Sequence, residues 1–432
     1  MNVKFALRKK VAAILGWFVR RLYRRAKFKT VVVAGSVGKT TTKHVIAQYL
    51  ENAGYKVRYQ KGNYNDLVTV PLVFFGLPLP DLYSPLAWIK TFWQIEHRLG
   101  QPFDYDIVVL ELGTNGPGQI EQFARYVRAD VAVITAIAPE HMERFNTIDA
   151  VAEEELSVID FAEHIIVNAD DTPKKHLKSI EPALYGSSST ADYRLSFRKD
   201  AQLTVMARGS TKITFSSKLV GRHTQKAIAG AYAVGDALDL VVDDPQKAFE
   251  NIEPMPGRMQ LLNGVKGSII IDDTYNASPS ATQAALDYLY SRPESKKIAV
   301  LGNMNEMGEH SAEAHQKIGR YCDSGQLYEL ITLGEDAAEH IGGVAHNEGG
   351  VSADSYSSPH RIGVYLRQIV DEDTVVLLKG SQNGVFLEEA IKPILADSSD
   401  ETKLVRQSDD WLYVKHEQFD DNPQLPTATN SS

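Results

Sequence analysis

Ten residues constrain the fold more than any other part of the chain. Val33-Ala34-Gly35-Ser36-Val37-Gly38-Lys39-Thr40-Thr41-Thr42 carries an apolar, β-branched run, Thr30–Ala34, through a two-glycine turn into a helical segment from about Lys39 to Ala53. A strand that feeds a helix this tightly is the first half of a βα crossover, which demands a parallel sheet covered by helices. The turn is also a phosphate cradle in outline. Gly35 and Gly38 let backbone N–H groups approach phosphate oxygens, and the start of the helix adds partial positive charge. Gly35, Ser36, Val37, Gly38, Lys39, Thr40 and Thr41 are therefore candidate nucleotide contacts. Lys39 is the residue to reach β/γ-phosphates, and the Thr40 hydroxyl suits Mg²⁺. Val33 stands where the longer motif has its first glycine.

The rest of the chain repeats the α/β pattern. Ile107–Leu110, Val131–Ile134 and Ile165–Val167 are short buried-strand candidates between helix-like segments. Residues 192–220 alternate like antiparallel strands, and a helix is expected through Ala227–Leu240. A second α/β unit starts near Pro256, with strands at Ser268–Ile271, Lys297–Leu301, Glu329–Leu333 and Thr374–Leu378. The expected fold class is α/β throughout: a P-loop ATPase domain with a mainly parallel sheet over 29–254, then a Rossmann-like domain over 255–408. The Asp-Asp, Asn-Pro and Ser-Ser composition after Asp409 reads as a disordered tail, 409–432.

Composition narrows the function. The 432 residues are 43% hydrophobic and 23% charged, ample for sizeable cores. No run approaches the ~20 apolar residues of a membrane span. The one cysteine, Cys322, excludes an internal disulfide and a Cys-based zinc cluster, and fits a reducing, cytoplasmic setting. The net charge is −9, yet residues 1–30 hold ten Lys or Arg and no acid, which leaves −19 on the remainder. So acidic a body argues against nucleic acid as partner. The basic head, 1–28, reads as an amphipathic helix over 3–28, with Leu7, Val11, Ile14, Leu15, Phe18 and Leu22 at helical spacing and Arg8, Lys9, Lys10, Arg20, Arg21, Arg24 and Arg25 around them. Two placements are open: flat on an anionic membrane surface, or packed on the protein body. On the first, removing 1–28 leaves ATP binding intact.

Two further motifs sit at strand ends, where open α/β sheets bind ligands. Glu111 closes the strand in Val108-Val109-Leu110-Glu111-Leu112-Gly113 and suits a Mg²⁺ carboxylate ligand. His141 lies in Ala138-Pro139-Glu140-His141-Met142-Glu143-Arg144-Phe145, just past another strand. Together with Gly62-Asn63-Tyr64-Asn65-Asp66, Asn168-Ala169-Asp170-Asp171, Gly257-Arg258, Asp272-Asp273-Thr274-Tyr275-Asn276-Ala277-Ser278-Pro279, Gly302-Asn303-Met304-Asn305-Glu306-Met307-Gly308 and Lys379-Gly380-Ser381, the chain resembles the Mur ligases, the ATP-dependent amide-forming enzymes of peptidoglycan precursor synthesis. Among them it looks closest to the member that adds D-alanyl-D-alanine to a muramyl tripeptide.

The resemblance implies a set of roles. ATP and Mg²⁺ are the cofactors, and a muramyl-peptide acceptor and D-Ala-D-Ala are the substrates. Lys39 and the loop amides would hold phosphates. Thr40 and Glu111 would hold one Mg²⁺ and His141 a second. Asn168 and Asp171 would lie at the adenine, while Arg258 and Asp273 would reach phosphates and ribose. Asn63, Asn65, Tyr275, Asn276, Lys379 and Ser381 would face substrate. Three departures qualify it. Only the basic segment precedes the phosphate loop, where family members usually carry a uridine-nucleotide domain, which suits a lipid-linked acceptor. Glu155, in Glu153-Glu154-Glu155, falls where many members have a carbamylated lysine that helps bind Mg²⁺; the alternative is three solvated glutamates. Gln382-Asn383 replaces an arginine, and Asn303 an acid. A poly-γ-glutamate or folylpolyglutamate type of ligase is the alternative activity; Tyr275-Asn276 speaks against the folate type.

Overall fold

The computed structural model describes residues 3–60, 62, 64–177, 180–197, 203–207, 211–382 and 384–419. They fall into two compact units: Met1–Lys218 with Thr224–Glu253, and Leu219–His223 with Pro254–Ser432.

The first unit is built on one sheet. Its strands are β1 (Lys29–Ala34), β2 (Val57–Tyr59), β3 (Ile107–Glu111), β4 (Ala129–Ile134), β5 (Ala162–Asn168), β6 (Ala183–Gly186), β7 (Tyr193–Phe197), β8 (Leu203–Ala207) and β9 (Thr211–Phe215). Their order is β2-β3-β1-β4-β5-β6-β7-β8-β9. Pairing is parallel from β2 to β7 and antiparallel between β7, β8 and β9. The β-branched run at Thr30–Ala34 is buried on both faces because β1 lies in mid-sheet, between β3 and β4. The helices are α1 (Val3–Arg25), α2 (Lys39–Asn52), α3 (Thr69–Phe75), α4 (Pro85–Leu99), α5 (Met142–Phe145), α6 (Ile148–Leu156), α7 (Arg222–Ala237) and α8 (Pro245–Glu250). Tyr49 of α2 stacks on Phe249 of α8 at 4.6 Å and meets α7 at Gly235.

Helix α1 is part of this core. Leu15 and Val19 are fully buried, with Val11, Phe18 and Leu22 beside them. Gly16 lies so close to Tyr126 that a Cβ there would sit 3.0 Å from the ring. Phe18 packs on Phe92 of α4 at 6.0 Å, Arg21 pairs with Glu96, and Tyr23 shares a 2.9 Å hydroxyl bond with Thr30 of β1. The apolar stripe that could have met a membrane is thus, Ile14 apart, spent on the body. Deleting residues 1–28 would therefore strip Leu15, Phe18, Val19 and Leu22 from this core. The Leu7 side chain lies outside the described residues.

The second unit holds β10 (Gln260–Asn263), β11 (Ile269–Asp273), β12 (Lys296–Gly302), β13 (Glu329–Leu333), β14 (Ala353–Tyr356) and β15 (Thr374–Lys379), ordered β10-β11-β15-β12-β13-β14. Only the β10–β11 pair is antiparallel among these. The disordered-tail expectation is corrected over its first part: Asp409–Gln418 is a helix. Its Lys415 is buried, with Nζ 2.6 Å from Glu389 and 2.9 Å from Glu388, and Arg406 pairs with Glu388 at 2.6 Å. Anchoring by a buried ion-pair cluster overrides a polar composition. Residues 420–432 of the expected tail lie outside the described residues.

Leu15→Ala is expected to lower the unfolding free energy by about 2–5 kcal/mol, the usual cost of a large cavity. Urea denaturation followed by circular dichroism measures it. An unchanged midpoint would show that α1 does not contribute to the core.

Candidate nucleotide site

Because β1, β3, β4 and β5 run parallel, their carboxyl ends share one edge. The phosphate loop, Glu111, the 135–141 segment and the 168–171 turn all leave from it. The loop is pressed flat on the residues that leave β4. Gly35 has φ 122°, and a Cβ on it would meet the Thr135 hydroxyl at 2.4 Å, so only glycine fits. Ser36 N–H donates to Ala136 O at 2.9 Å, and its hydroxyl accepts from Ala138 N–H at 3.0 Å. Gly38, at φ 88°, turns the chain into α2. Val37 and Thr41 share the turn and the first helical residues with a buried Thr40.

Charge is concentrated here. Lys39 Nζ donates to Gly35 O at 2.5 Å and Ser36 O at 3.3 Å, folded back on its own loop. Glu140 lies 3.4 Å from it and Glu155 3.9 Å. Burial alone would lower the Lys39 ammonium, but Glu140, Glu155 and Glu111 outweigh that and push it up to about 12. Glu155, fully buried, accepts the Gly35 N–H at 2.6 Å, and its other oxygen, Oε1, has no hydrogen-bond donor. Burial pushes its carboxyl up to about 7, with Lys39 offsetting only part. Glu111 Oε2 pairs with Lys43 at 3.1 Å and Oε1 accepts from Asn65 at 3.2 Å. Burial would raise Glu111 too, but Lys43 and Lys39 hold it below the ordinary carboxylate range. His141 is left-handed at φ 47° and heads α5, with Nε2 3.9 Å from Glu140. Asn168 donates to Thr135 O at 2.9 Å and to Asp171 at 2.7 Å, and Lys226 pairs with Asp171 at 2.9 Å. Asn63 lies outside the described residues.

The second unit gathers its own set. Lys379 Nζ is 2.6 Å from Asp273 and donates to Asn276 O at 2.9 Å; burial lowers its ammonium, with Asp273 opposing. Arg258 lies over the Tyr275 ring at 4.1 Å. Asn276 Oδ1 accepts from Ala277 N–H at 2.9 Å, and the Ser381 hydroxyl accepts from Asn305 N–H at 2.9 Å. Asn303, where an acid is common, accepts the Ala337 N–H at 2.8 Å beneath Gly334, a capping task that an amide oxygen performs as well as a carboxylate.

Residues 33–81 and 91–235 match the Mur ligase middle domain, and 257–382 the Mur ligase glutamate ligase domain. The chain belongs to the Mur ligase family. It is 26% identical over 372 residues to the UDP-N-acetylmuramoyl-tripeptide–D-alanyl-D-alanine ligase of Bacillus subtilis (strain 168), covering 85% of this chain and 76% of that one. The namesake of Rickettsia prowazekii (strain Madrid E) is 25% identical over 385 residues, covering 86% and 79%. Among solved structures, the MurF ligase of Thermotoga maritima in complex with ADP aligns with TM-score 0.71 at 25% identity, covering 90% of this chain and 84% of that one. This Mur ligase is thus an ATP-dependent ligase with the expected α/β fold.

Sequence reasoning passed over three residues of the site. Lys43 lies one helical turn after Lys39, so the i,i+4 spacing on α2 could have marked it. Glu140 sits inside the motif read for its histidine. Gln60 clamps β3, taking the Glu111 N–H at 2.5 Å and donating to Glu111 O at 2.9 Å, and no local signal announces it. The three-glutamate run also resolves. Glu153 is exposed, whereas Glu154 accepts N–H groups from Gly118, Gln119 and Ile120 at 2.6, 2.9 and 2.8 Å. A wholly solvated acidic face is excluded.

Glu154→Ala strands three backbone donors and is expected to cost about 1–3 kcal/mol, while Glu153→Gln leaves the denaturation midpoint unchanged; equal midpoints for both would remove the capping role. A pH effect follows in the second unit. Burial pushes the Asp272 carboxyl from 3.8 up to about 6, with the Thr274 hydroxyl and N–H opposing. Folded Asp272 therefore holds its proton where the unfolded chain has lost it, and its contribution is present below 3.8 and lost as pH rises through about 6. Asp272→Asn should flatten that part of the stability profile between about pH 4 and about pH 7. A profile as steep as wild type would assign the slope to other groups.

Proposed function

We propose that this Mur ligase joins D-alanyl-D-alanine to a muramyl-tripeptide precursor in the cytoplasm, with ATP as the energy source. The observation that carries the reading is Lys39, held on the phosphate loop at the sheet's carboxyl edge within reach of Glu140 and Glu155. An oxygen of the acceptor carboxylate attacks the γ-phosphorus and the bond to the β-phosphate oxygen breaks, giving an acyl phosphate and ADP. The dipeptide amine then attacks the acyl carbon, inorganic phosphate departs, and the amine loses a proton. Charge moves over phosphoryl oxygens in both steps, so fixed cations and N–H donors do most of the work. Lys39 would exchange Gly35 O and Ser36 O for phosphate oxygens. Lys43 keeps Glu111 ionised, and Glu155 holds the Gly35 N–H in place.

Mg²⁺ fits the donors at this edge. The Thr40 hydroxyl and the Glu111 carboxylate are hard oxygen ligands, and Glu155 Oε1, 3.9 Å from Lys39 Nζ, has no hydrogen-bond donor. Phosphate oxygens and water would complete the cation's shell. When bound it would supply charge to the transferring phosphate. Arg258 and Asp273 as nucleotide contacts, and Tyr275, Asn276, Lys379 and Ser381 as substrate contacts, are part of the same proposal. So are His141 at the phosphates and Asn168 with Asp171 at the adenine.

Phosphate release is the test, run over a panel of muramyl acceptors and amines. Turnover is expected only with acceptor and D-Ala-D-Ala together, and glutamate addition in its place would move the chain to the polyglutamate class. Lys39→Ala should reduce turnover at least ~10³-fold with an unaltered circular dichroism spectrum, since it removes charge at the transferring phosphate. Retained ligation by this variant would rule out the phosphate-loop assignment. Glu155→Gln should raise the Mg²⁺ concentration needed for half-maximal rate, without any dependence on bicarbonate; a wild-type Mg²⁺ profile would confine Glu155 to bracing the loop.

A further inference from the structure

With Val11, Leu15, Phe18 and Leu22 of α1 turned inward, what remains outside is unexpected. Ile14 and Trp17 are 42% and 46% exposed. On α4, Trp88, Ile95 and Leu99 are buried, as a covering helix requires. Yet Leu86, Ile89 and Trp93, spaced i, i+3 and i+7, are 78%, 64% and 68% exposed. Helix α4 is apolar on two faces, and only one is used.

The two helices present these rows along one seam. Phe18 meets Phe92, and Arg21 meets Glu96, so α1 and α4 lie side by side in the same direction. The Arg21 guanidinium lies 4.6 Å from the Trp17 ring while it pairs with Glu96, which ties the aromatic row of α1 to α4. Apart from Glu96, the charged residues of the two helices are all basic. Lys10, Arg20 and Arg24 of α1 and Lys90 of α4 are exposed, α1 carries no acid, and Glu96 is answered by Arg21.

We infer that the outer faces of α1 and α4 form a docking surface for an anionic lipid bilayer, with Trp17, Leu86, Ile89 and Trp93 entering the headgroup boundary and the basic residues meeting lipid phosphates. Tryptophan beside aliphatic side chains, rimmed by Lys and Arg, is the composition that holds a helix in the plane of a membrane. Neither helix is long and apolar enough to cross one. A second copy of the chain is the poorer occupant, because a two-fold contact would set this basic rim against itself. The surface differs from a free amphipathic N-terminal helix. It uses residues that α1 leaves outside after folding, and half of it comes from α4. It stands independently of the substrate assignment.

Co-sedimentation of the full chain with vesicles tests it. Wild type is expected to bind vesicles rich in phosphatidylglycerol and not pure phosphatidylcholine, with binding weakened by salt and the tryptophan emission shifted to the blue. Leu86→Ser/Trp93→Ser should lower the partition coefficient about tenfold, and Lys10→Glu/Arg24→Glu by at least as much. Both sets are exposed, so the circular dichroism spectrum and ATP turnover should match wild type. Equal binding by Leu86→Ser/Trp93→Ser and wild type would overturn the inference, as would no binding to either vesicle. A chain that is dimeric, ignores vesicles and becomes monomeric on Leu86→Ser/Trp93→Ser would assign the surface to a second copy and overturn it too.

Discussion

The contact between Gly35 and Thr135 governs the architecture around the phosphate loop. Parallel pairing of β1 with β4 brings the chain leaving β1 directly over the chain leaving β4, with no room for a side chain between them. The loop can then take its hydrogen bonds only from a few places: Ala136 below, Ala138 beyond, and the Glu155 carboxylate arriving from α6. That geometry sets where the Lys39 ammonium lies and which carboxylates face it. Asn168, bonded to the Thr135 carbonyl, extends the same registration to the end of β5. A methyl group at position 35 would displace all of these at once.

The site is electrostatically strained before any nucleotide arrives. Three carboxylates, those of Glu111, Glu140 and Glu155, surround the loop and two lysines on one face of α2 answer them, while the more distant Asp171 is answered by Lys226 of α7. Buried charges of this kind return little stability relative to an apolar core, because desolvation consumes most of the attraction. Their value lies in readiness. Lys43 keeps Glu111 charged, and Lys39 rests on two backbone carbonyls that a phosphate can replace without rebuilding the loop.

What could be read in the sequence and what could not divides along the range of the interactions. β1, β3, β4, β12, β13 and β15 were legible because a strand buried on both faces shows as an uninterrupted apolar run, whoever its neighbours are. The phosphate loop, Glu111 and the family resemblance were legible for a related reason: each is a local string with a local mechanism. Placement of α1 was not. Its stripe fits a membrane and a protein core equally well, and Tyr126 and Phe92, which decide the matter, lie far along the chain. Glu153, Glu154 and Glu155 are identical as letters, yet successive helical residues point about 100° apart, so one faces water, one caps a distant turn and one enters the loop. Helix Asp409–Gln418 was misread because composition ignores Glu388 and Glu389, the partners that hold Lys415.

The burial of α1 also bears on the order in which the protein can assemble. The helix leaves the ribosome well before the surfaces that cover it, since Phe92, Glu96 and Tyr126 are all translated later. At roughly 5–20 residues per second, Leu15, Phe18, Val19 and Leu22 stay without their folded-state partners for several seconds. During that interval the nascent chain offers an apolar stripe flanked by arginines to whatever chaperone, ribosomal surface or bilayer is near. Closing the first unit must then win the helix back.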